Sequence, residues 1–284
     1  MSSLRSVLSI HPGQAASDGA GVRLTRVIGG AGIERFDPFL MLDEFGSDNP
    51  DDYIAGFPPH PHRGFETITY MLAGSMRHED HLGNVGLLQS GGVQWMTAAR
   101  GIIHSEMPEQ EQGVMRGFQL WLNLPRQDKL GEPGYRDIPA AEIPRLTSTG
   151  GVEVVVIAGR FDDGQVQQAG AVQRPHTEPQ LFDLRLPAGS RIAPRLTDGH
   201  RALLYVYEGS LELPGATPRT VTAGRLVRLS DEGELQLASS QGARLLLIAG
   251  KPLNEPIVQY GPFVMNSREE IEQALRDYRD GVLA

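Results

Sequence analysis

Two short stretches of the 284-residue chain carry side chains that could hold one metal ion between them. In Pro58-Pro59-His60-Pro61-His62 the histidines stand two residues apart, and in extended backbone that spacing sends both imidazoles to one face. Pro61 favours this geometry, because it biases His60 away from helix and turns its own ring to the opposite side. Alone, such a pair reads equally as a surface loop. The spacing recurs in Gly101-Ile102-Ile103-His104-Ser105-Glu106, where His104 and Glu106 share one parity. Three imidazoles and a carboxylate form a donor set suited to iron, manganese, nickel, copper or zinc, with water or substrate in the remaining positions. The chain has no cysteine, so a bound metal must use nitrogen and oxygen ligands.

The elements that must position these residues read as short strands. Phe118, Leu120, Leu122 and Leu124 alternate with Gln119, Trp121 and Asn123, and similar runs lie at 22–28, 65–72, 93–97, 152–158, 181–186, 202–207, 226–229 and 244–249. Turn signals separate them, among them Pro187-Ala188-Gly189, Gly209-Ser210 and Asp231-Glu232-Gly233. The 34 glycines and 20 prolines are spread between apolar runs, which points to an all-β protein of the sandwich or barrel kind. One segment differs. Ser267-Arg268-Glu269-Glu270 forms a capping box ahead of Ile271, Ala274, Leu275, Tyr278 and Val282 at helical spacing, predicting a C-terminal amphipathic helix that covers part of a sheet.

A formal charge of −9 opposes direct contact with nucleic acid or an anionic membrane surface. The opening residues lack the apolar core of a signal peptide and no later run has the length of a membrane span, so the expected location is cytoplasmic.

The chain also repeats itself. Tyr70-Met71-Leu72-Ala73-Gly74-Ser75 resembles Tyr205-Val206-Tyr207-Glu208-Gly209-Ser210 at a constant offset, and Gly91 pairs with Gly224 at nearly the same one. This predicts a duplicated β domain, with its boundary in the Pro-rich stretch from Glu132 to Gly151. Carried into the second copy, the four candidate ligands fall on Arg195, Thr197, Leu237 and Ser239, so only the first copy is expected to bind metal. His176-Thr177-Glu178 and His200 find no partner pair and read as solvated loop. His78 and His81, among charged residues between two strands, read as a solvated turn, and His11 likewise. Trp95, Trp121, Phe65 and Phe118 read as barrel lining or core, in a cavity that would suit a planar substrate.

Longer blocks carry a family resemblance. His60-x-His62-x3-Glu66, then Gly74, then His104 resembles the two cupin motifs, with a wider spacing to Gly74 and with Glu106 as departures. Asp37-Pro-Phe-Leu-Met-Leu-Asp-Glu-Phe45, Pro59-His-Pro-His-Arg-Gly-Phe-Glu-Thr-Ile-Thr-Tyr70, Gln94-Trp-Met-Thr97 and Arg100-Gly-Ile-Ile-His-Ser-Glu-Met-Pro108 resemble the pirin family, strongly over most of residues 20–140 and in outline beyond. Gly91-Gly92 stands where pirins usually read Gly-Asp, and Ala99 where glycine is usual; both are backbone or turn positions.

The resemblance implies a bicupin: two β-barrel or jelly-roll domains, residues 1–139 a metal-binding cupin and residues 140–284 a degenerate cupin with the terminal helix. It implies one divalent transition metal on His60, His62, His104 and Glu106, with iron(II) first and zinc, copper, nickel, manganese or cobalt as alternatives. Glu66 is implied to lie near the metal without ligating it. The implied activity is quercetin 2,3-dioxygenase: a flavonol and dioxygen are the substrates, Glu106 or Glu66 takes the flavonol hydroxyl proton, and ring opening incorporates both oxygen atoms and releases carbon monoxide. Glu66 reads equally as a residue that hydrogen-bonds a ligand imidazole. A different class is also implied, a redox- or metal-responsive regulator that binds a protein partner, as proposed for eukaryotic pirins.

Overall fold

A computed structural model describes residues 3–30, 35–148, 150–215 and 217–284; Thr149 of the expected boundary stretch lies outside them. The chain divides into two compact units, one formed by Gln14–Ala141 with Leu253–Ala284, the other by Met1–Gly13 with Glu142–Pro252. This partition differs from a linear cut at 139/140, because each unit borrows a terminus. Strand Val7–Pro12 pairs antiparallel with Arg225–Leu229 inside the second unit. The Val258–Tyr260 and Phe263–Met265 hairpin and the terminal helix belong to the first.

In the first unit, a seven-stranded antiparallel sheet runs Gly134–Ile138, Val93–Thr97, Phe65–Ala73, Met115–Asn123, Phe39–Ser47, Val22–Ile28, Gln14–Asp18 among the described residues. A four-stranded sheet runs Phe57–His62, Ile102–Pro108, Ser75–Asp80, Val85–Gln89. Gly74 carries the chain from one sheet to the other at φ +89°, a left-handed conformation that favours glycine. Its repeat mate Gly209 has φ +70°, and the pair Gly91 and Gly224 have φ +80° and +77°. The sequence repeat is therefore a repeat of backbone turns.

The helix spans Arg268–Arg279, and Ser267 and Glu270 make the reciprocal capping-box hydrogen bonds. Ile271 and Ala274 are buried with Phe263, Met265 and Leu283, against Ile103 of the strand that carries His104. The rest of the expected stripe is not: Leu275, Tyr278 and Val282 are exposed, and Val282 lies beyond the helix end. No helix among the described residues is long and apolar enough to cross a membrane.

The second unit is a barrel whose sheet follows Val7–Pro12, Arg225–Leu229, Arg201–Leu213, Ala243–Gly250, Gln180–Leu186, Glu153–Ala158, Arg145–Thr147, with short strands branching from it. Alternate residues of these strands, such as Val156, Phe182, Leu204 and Leu247, pack into one fully buried apolar core.

Candidate metal centre

Strand pairing assembles the centre. Phe57–His62 and Ile102–Pro108 run antiparallel with His60 opposite His104 and His62 opposite Ile102. Directly opposed residues project from the same face, so the His60 and His104 rings meet, and His62 joins them by parity. Ring centroids lie 4.4 Å apart for His60 and His104 and 4.9 Å apart for His62 and His104. Each histidine offers one ring nitrogen to a group whose members all lie within 4.8 Å of one another. His60 Nε2 and His62 Nε2 are 3.0 Å apart, which suits two nitrogens each about 2.1 Å from a shared ion. His104 Nε2 is buried without a hydrogen-bond partner, an orphan that an ion at this position would satisfy.

Protonation favours the same use. Burial pushes the His62 and His104 imidazoles well below the usual histidine range, and the neighbouring histidines add to the effect. Both are neutral at pH 7, the form that coordinates metal. His60 Nδ1–H donates to the Pro58 carbonyl at 2.8 Å, a tautomer that leaves the Nε2 lone pair for the ion.

Glu106 stands apart from the three histidines. The ladder shifts register between His104 and Glu106, so that Glu106 faces Phe57. Among the described residues the close group contains His60, His62 and His104 but not Glu106. Glu106 is buried and lines the same cavity, with Oε1 3.0 Å from the Thr69 hydroxyl. Thr69 also contacts the Gln119 amide; with the amide NH2 turned to Thr69, the hydroxyl is free to donate to Glu106.

Glu66 is carried to the other side of its sheet. Its neighbours Thr67 and Thr69 lie opposite Trp121 and Gln119, which line the cavity, so Glu66 projects from the reverse face. There it accepts a hydrogen bond from the Thr97 hydroxyl at 2.6 Å. Gly64, at φ +91°, interrupts the extended backbone between His62 and Glu66, so the two side chains do not share one strand face.

The loop that follows the His-x-His pair is clamped from behind. The Arg63 guanidinium bonds Asp277 at 2.7 Å and the Leu283 carbonyl at 3.0 Å, and also reaches the Arg100 carbonyl. Lys129 is buried, and its Nζ donates to Gly64 O (2.6 Å), Asn123 Oδ1 (2.6 Å) and Val264 O (3.0 Å). Burial pushes this ammonium down to about 8, while its three hydrogen bonds use all its protons.

A cavity of about 900 Å³ opens in front of the histidines. Met41, Phe57 and Trp121 give it apolar walls, while Arg26, Asp43 and Gln119 add polar groups. Asp43 is buried in a two-bond pair with Arg26 (3.0 and 2.8 Å); burial raises its pKa and the guanidinium opposes the rise. Trp121 packs edge-on to His62 at 5.2 Å and lines the cavity, the first of the two readings, barrel lining or core, that the sequence left open.

His78 and His200 depart from the expected solvated readings, whereas His81 lies exposed in a turn as expected. His78 is fully buried on strand Ser75–Asp80, with its Nδ1 3.3 Å from His104 Nδ1. His81 accepts a hydrogen bond from the Ile103 amide at 3.2 Å. His200 is buried, 3.7 Å from Glu178. The missed signal for His78 was the parity of Met76, His78 and Asp80, which matches that of His104 and Glu106 across the ladder.

Comparisons with known proteins agree with this architecture. Residues 21–122 match the family model described as Pirin, and residues 181–284 the one described as Pirin C-terminal cupin domain. A Pseudomonas aeruginosa protein named "Putative quercetin 2,3-dioxygenase" is 73% identical over 284 residues, covering 100% of both chains. Pirin of Homo sapiens is 39% identical over 270 residues, 93% of this chain and 89% of its own. The crystal structure of a quercetin 2,3-dioxygenase from Acinetobacter baumannii matches with a TM-score of 0.90 at 30% identity, covering 99% of each chain. The all-β, two-cupin fold expected from the sequence is borne out.

Proposed function

The chain belongs to the pirin family, and on that premise we propose that it is a metal-dependent dioxygenase acting on flavonols such as quercetin. The observation that carries the reading is the group of three histidines, two of them held neutral by burial, at a cavity with aromatic walls and a buried carboxylate. The names of the Pseudomonas and Acinetobacter proteins support the choice of substrate.

His60, His62 and His104, with Glu106, would hold iron(II) or another divalent transition metal. When bound, such an ion supplies a Lewis acid that stabilises a deprotonated hydroxyl and a centre for dioxygen chemistry. The protein supplies the rest. Met41, Phe57 and Trp121 seat a planar ring system and exclude water from it. Glu106, whose second carboxylate oxygen takes no hydrogen bond from the described residues, receives the substrate's hydroxyl proton while Thr69 orients the first. Gln119 and the Arg26–Asp43 pair meet the substrate's other hydroxyls. Glu66, on the reverse face, has no part in proton transfer at the metal.

The test is oxygen-dependent bleaching. Anaerobic protein loaded with iron(II) and mixed with quercetin is expected to lose the flavonol absorption band when oxygen is admitted. Absence of bleaching with iron, nickel, copper, zinc, manganese and cobalt in turn overturns the proposal.

A further inference from the structure

Behind the three histidines, away from the cavity, lies a second row of buried polar side chains. Strand Ser75–Asp80 pairs with Ile102–Pro108 so that Asp80 faces His104 and His78 faces Glu106. The side chains of His78 and Asp80 are both fully excluded from solvent. His78 Nδ1 is 3.3 Å from His104 Nδ1, and His78 Nε2 is 3.7 Å from Asp80 Oδ2. Tyr135 stacks on the His78 ring at 4.4 Å and 20°, and its own hydroxyl is tied to Asp137 at 2.6 Å. Asp80 is fixed in turn: its Oδ1 accepts the Leu82 and Asn84 amides, each at 3.0 Å, and its Oδ2 accepts the Asn84 side-chain amide at 2.8 Å.

We propose that His78, backed by Asp80, is a positioning residue for the metal ligand His104. This rests on the metal-binding reading above and deepens it. The direction of each proton follows from the geometry. A metal on the unpartnered Nε2 of His104 requires that ring's proton to sit on Nδ1. Among the described residues the hydrogen-bond partner of His104 Nδ1 is His78 Nδ1, which must therefore be the acceptor. The His78 proton then sits on Nε2, directed at the Asp80 carboxylate. At 3.7 Å that last contact is electrostatic and not a hydrogen bond. The row fixes the His104 ring and tautomer and increases its donor strength, as carboxylate-backed histidines do at metal sites.

Three measurements test it. Zinc(II) affinity is read by competition with a chromophoric chelator, with folding checked by circular dichroism. His78→Leu is expected to bind zinc about 10- to 100-fold more weakly, and His78→Asn, whose amide oxygen can accept the same proton, to stay close to wild type. Equal affinities for His78→Leu and wild type overturn the inference, as does a loss that asparagine fails to rescue, which would mean packing alone. In cobalt(II)-loaded wild type, the His104 Nδ1–H is expected as a paramagnetically shifted proton resonance in slow exchange with water. Its absence overturns the inference even if the leucine variant does not fold. Asp80→Asn is expected to raise the Fe(III)/Fe(II) potential of iron-loaded protein; an unchanged potential removes Asp80 from the arrangement. Wild type that binds neither zinc, cobalt nor iron sinks the metal reading itself, an outcome separable from the others.

Discussion

The close approach of the C-terminal segment to the loop that follows His60 and His62 can be measured with two alanine substitutions. Gly64 and Gly83 have nearly the same φ, +91° and +86°, so alanine meets a similar left-handed penalty at each, about 1–2 kcal/mol. Their surroundings differ. A Cβ on Gly83 meets nothing within 4 Å, whereas one on Gly64 stands 2.0 Å from the Val264 carbonyl oxygen and 2.9 Å from Met265 Sδ. Val264 cannot withdraw freely, because its N–H donates to the Arg63 carbonyl and its own carbonyl accepts from Lys129. Overpacking of this kind costs about 1–3 kcal/mol, and straining a buried hydrogen bond adds about 1 kcal/mol.

Gly64→Ala should therefore lose roughly 2–4 kcal/mol more than Gly83→Ala, a further drop in Tm of about 4–16 °C. Urea unfolding of the metal-free protein followed by tryptophan fluorescence is the suitable assay, because both tryptophans, Trp95 and Trp121, lie in the unit that carries the site. Zinc titration of the same proteins adds a second reading: Gly64 is two residues from His62, so Gly64→Ala should weaken binding. Equal stability losses at the two glycines would refute the packing of Val264 against this loop.

Further predictions concern the site and its charges. Replacing both His60 and His62 by alanine should abolish bound metal, which elemental analysis of purified protein checks; a fully loaded variant contradicts the assignment. Glu106→Gln should slow quercetin turnover by about 10²- to 10⁴-fold, with zinc affinity measured alongside to separate proton transfer from metal loss. Folded His62 and His104 take up protons only well below the usual 6.5, so below that pH the unfolded metal-free chain binds more protons. Its stability should then fall with acidification, a slope that urea midpoints between pH 7 and 5 would show. Lys129 acts in the alkaline window: its value of about 8 lies below the usual 10.5, so the unfolded chain holds more protons between them. Stability should rise by up to about 3 kcal/mol from pH 8 to 10.5, and Lys129→Met should remove that slope from urea titrations.

Much of the fold was legible because strand alternation and turn glycines are local signals. The runs at 65–72, 93–97, 181–186 and 244–249 became Phe65–Ala73, Val93–Thr97, Gln180–Leu186 and Ala243–Gly250 almost unchanged. The helix start was legible too, since a capping box is written within four residues. What the linear reading missed was long-range. Nothing near Val7 says that it will pair beside Leu229, and nothing near Phe263 says that it will lie against Arg63. Such pairings depend on which edges remain open once the local strands have formed.

The same distinction explains the site. Parity holds only inside an unbroken strand. It succeeded for His60 with His62, which share one strand and then meet His104 across a regular part of the ladder. It was weaker for Glu106, where a register shift intervenes; the place near the metal implied for Glu66 came from the family resemblance and not from parity, which the left-handed Gly64 interrupts between His62 and Glu66. His78 shows the converse: counted within its own strand, it has the parity of Met76 and Asp80, whose side chains are buried. The surrounding charges Arg77 and Glu79 made the segment look like a solvated loop, but they occupy only the opposite, outward parity and form an ion pair there. Side-chain polarity therefore misleads where one face of a strand is exposed, and alternation around a candidate ligand says more than its average composition. By that measure the centre is two rows deep, with the candidate ligands His60, His62 and His104 in front and His78 and Asp80 behind them.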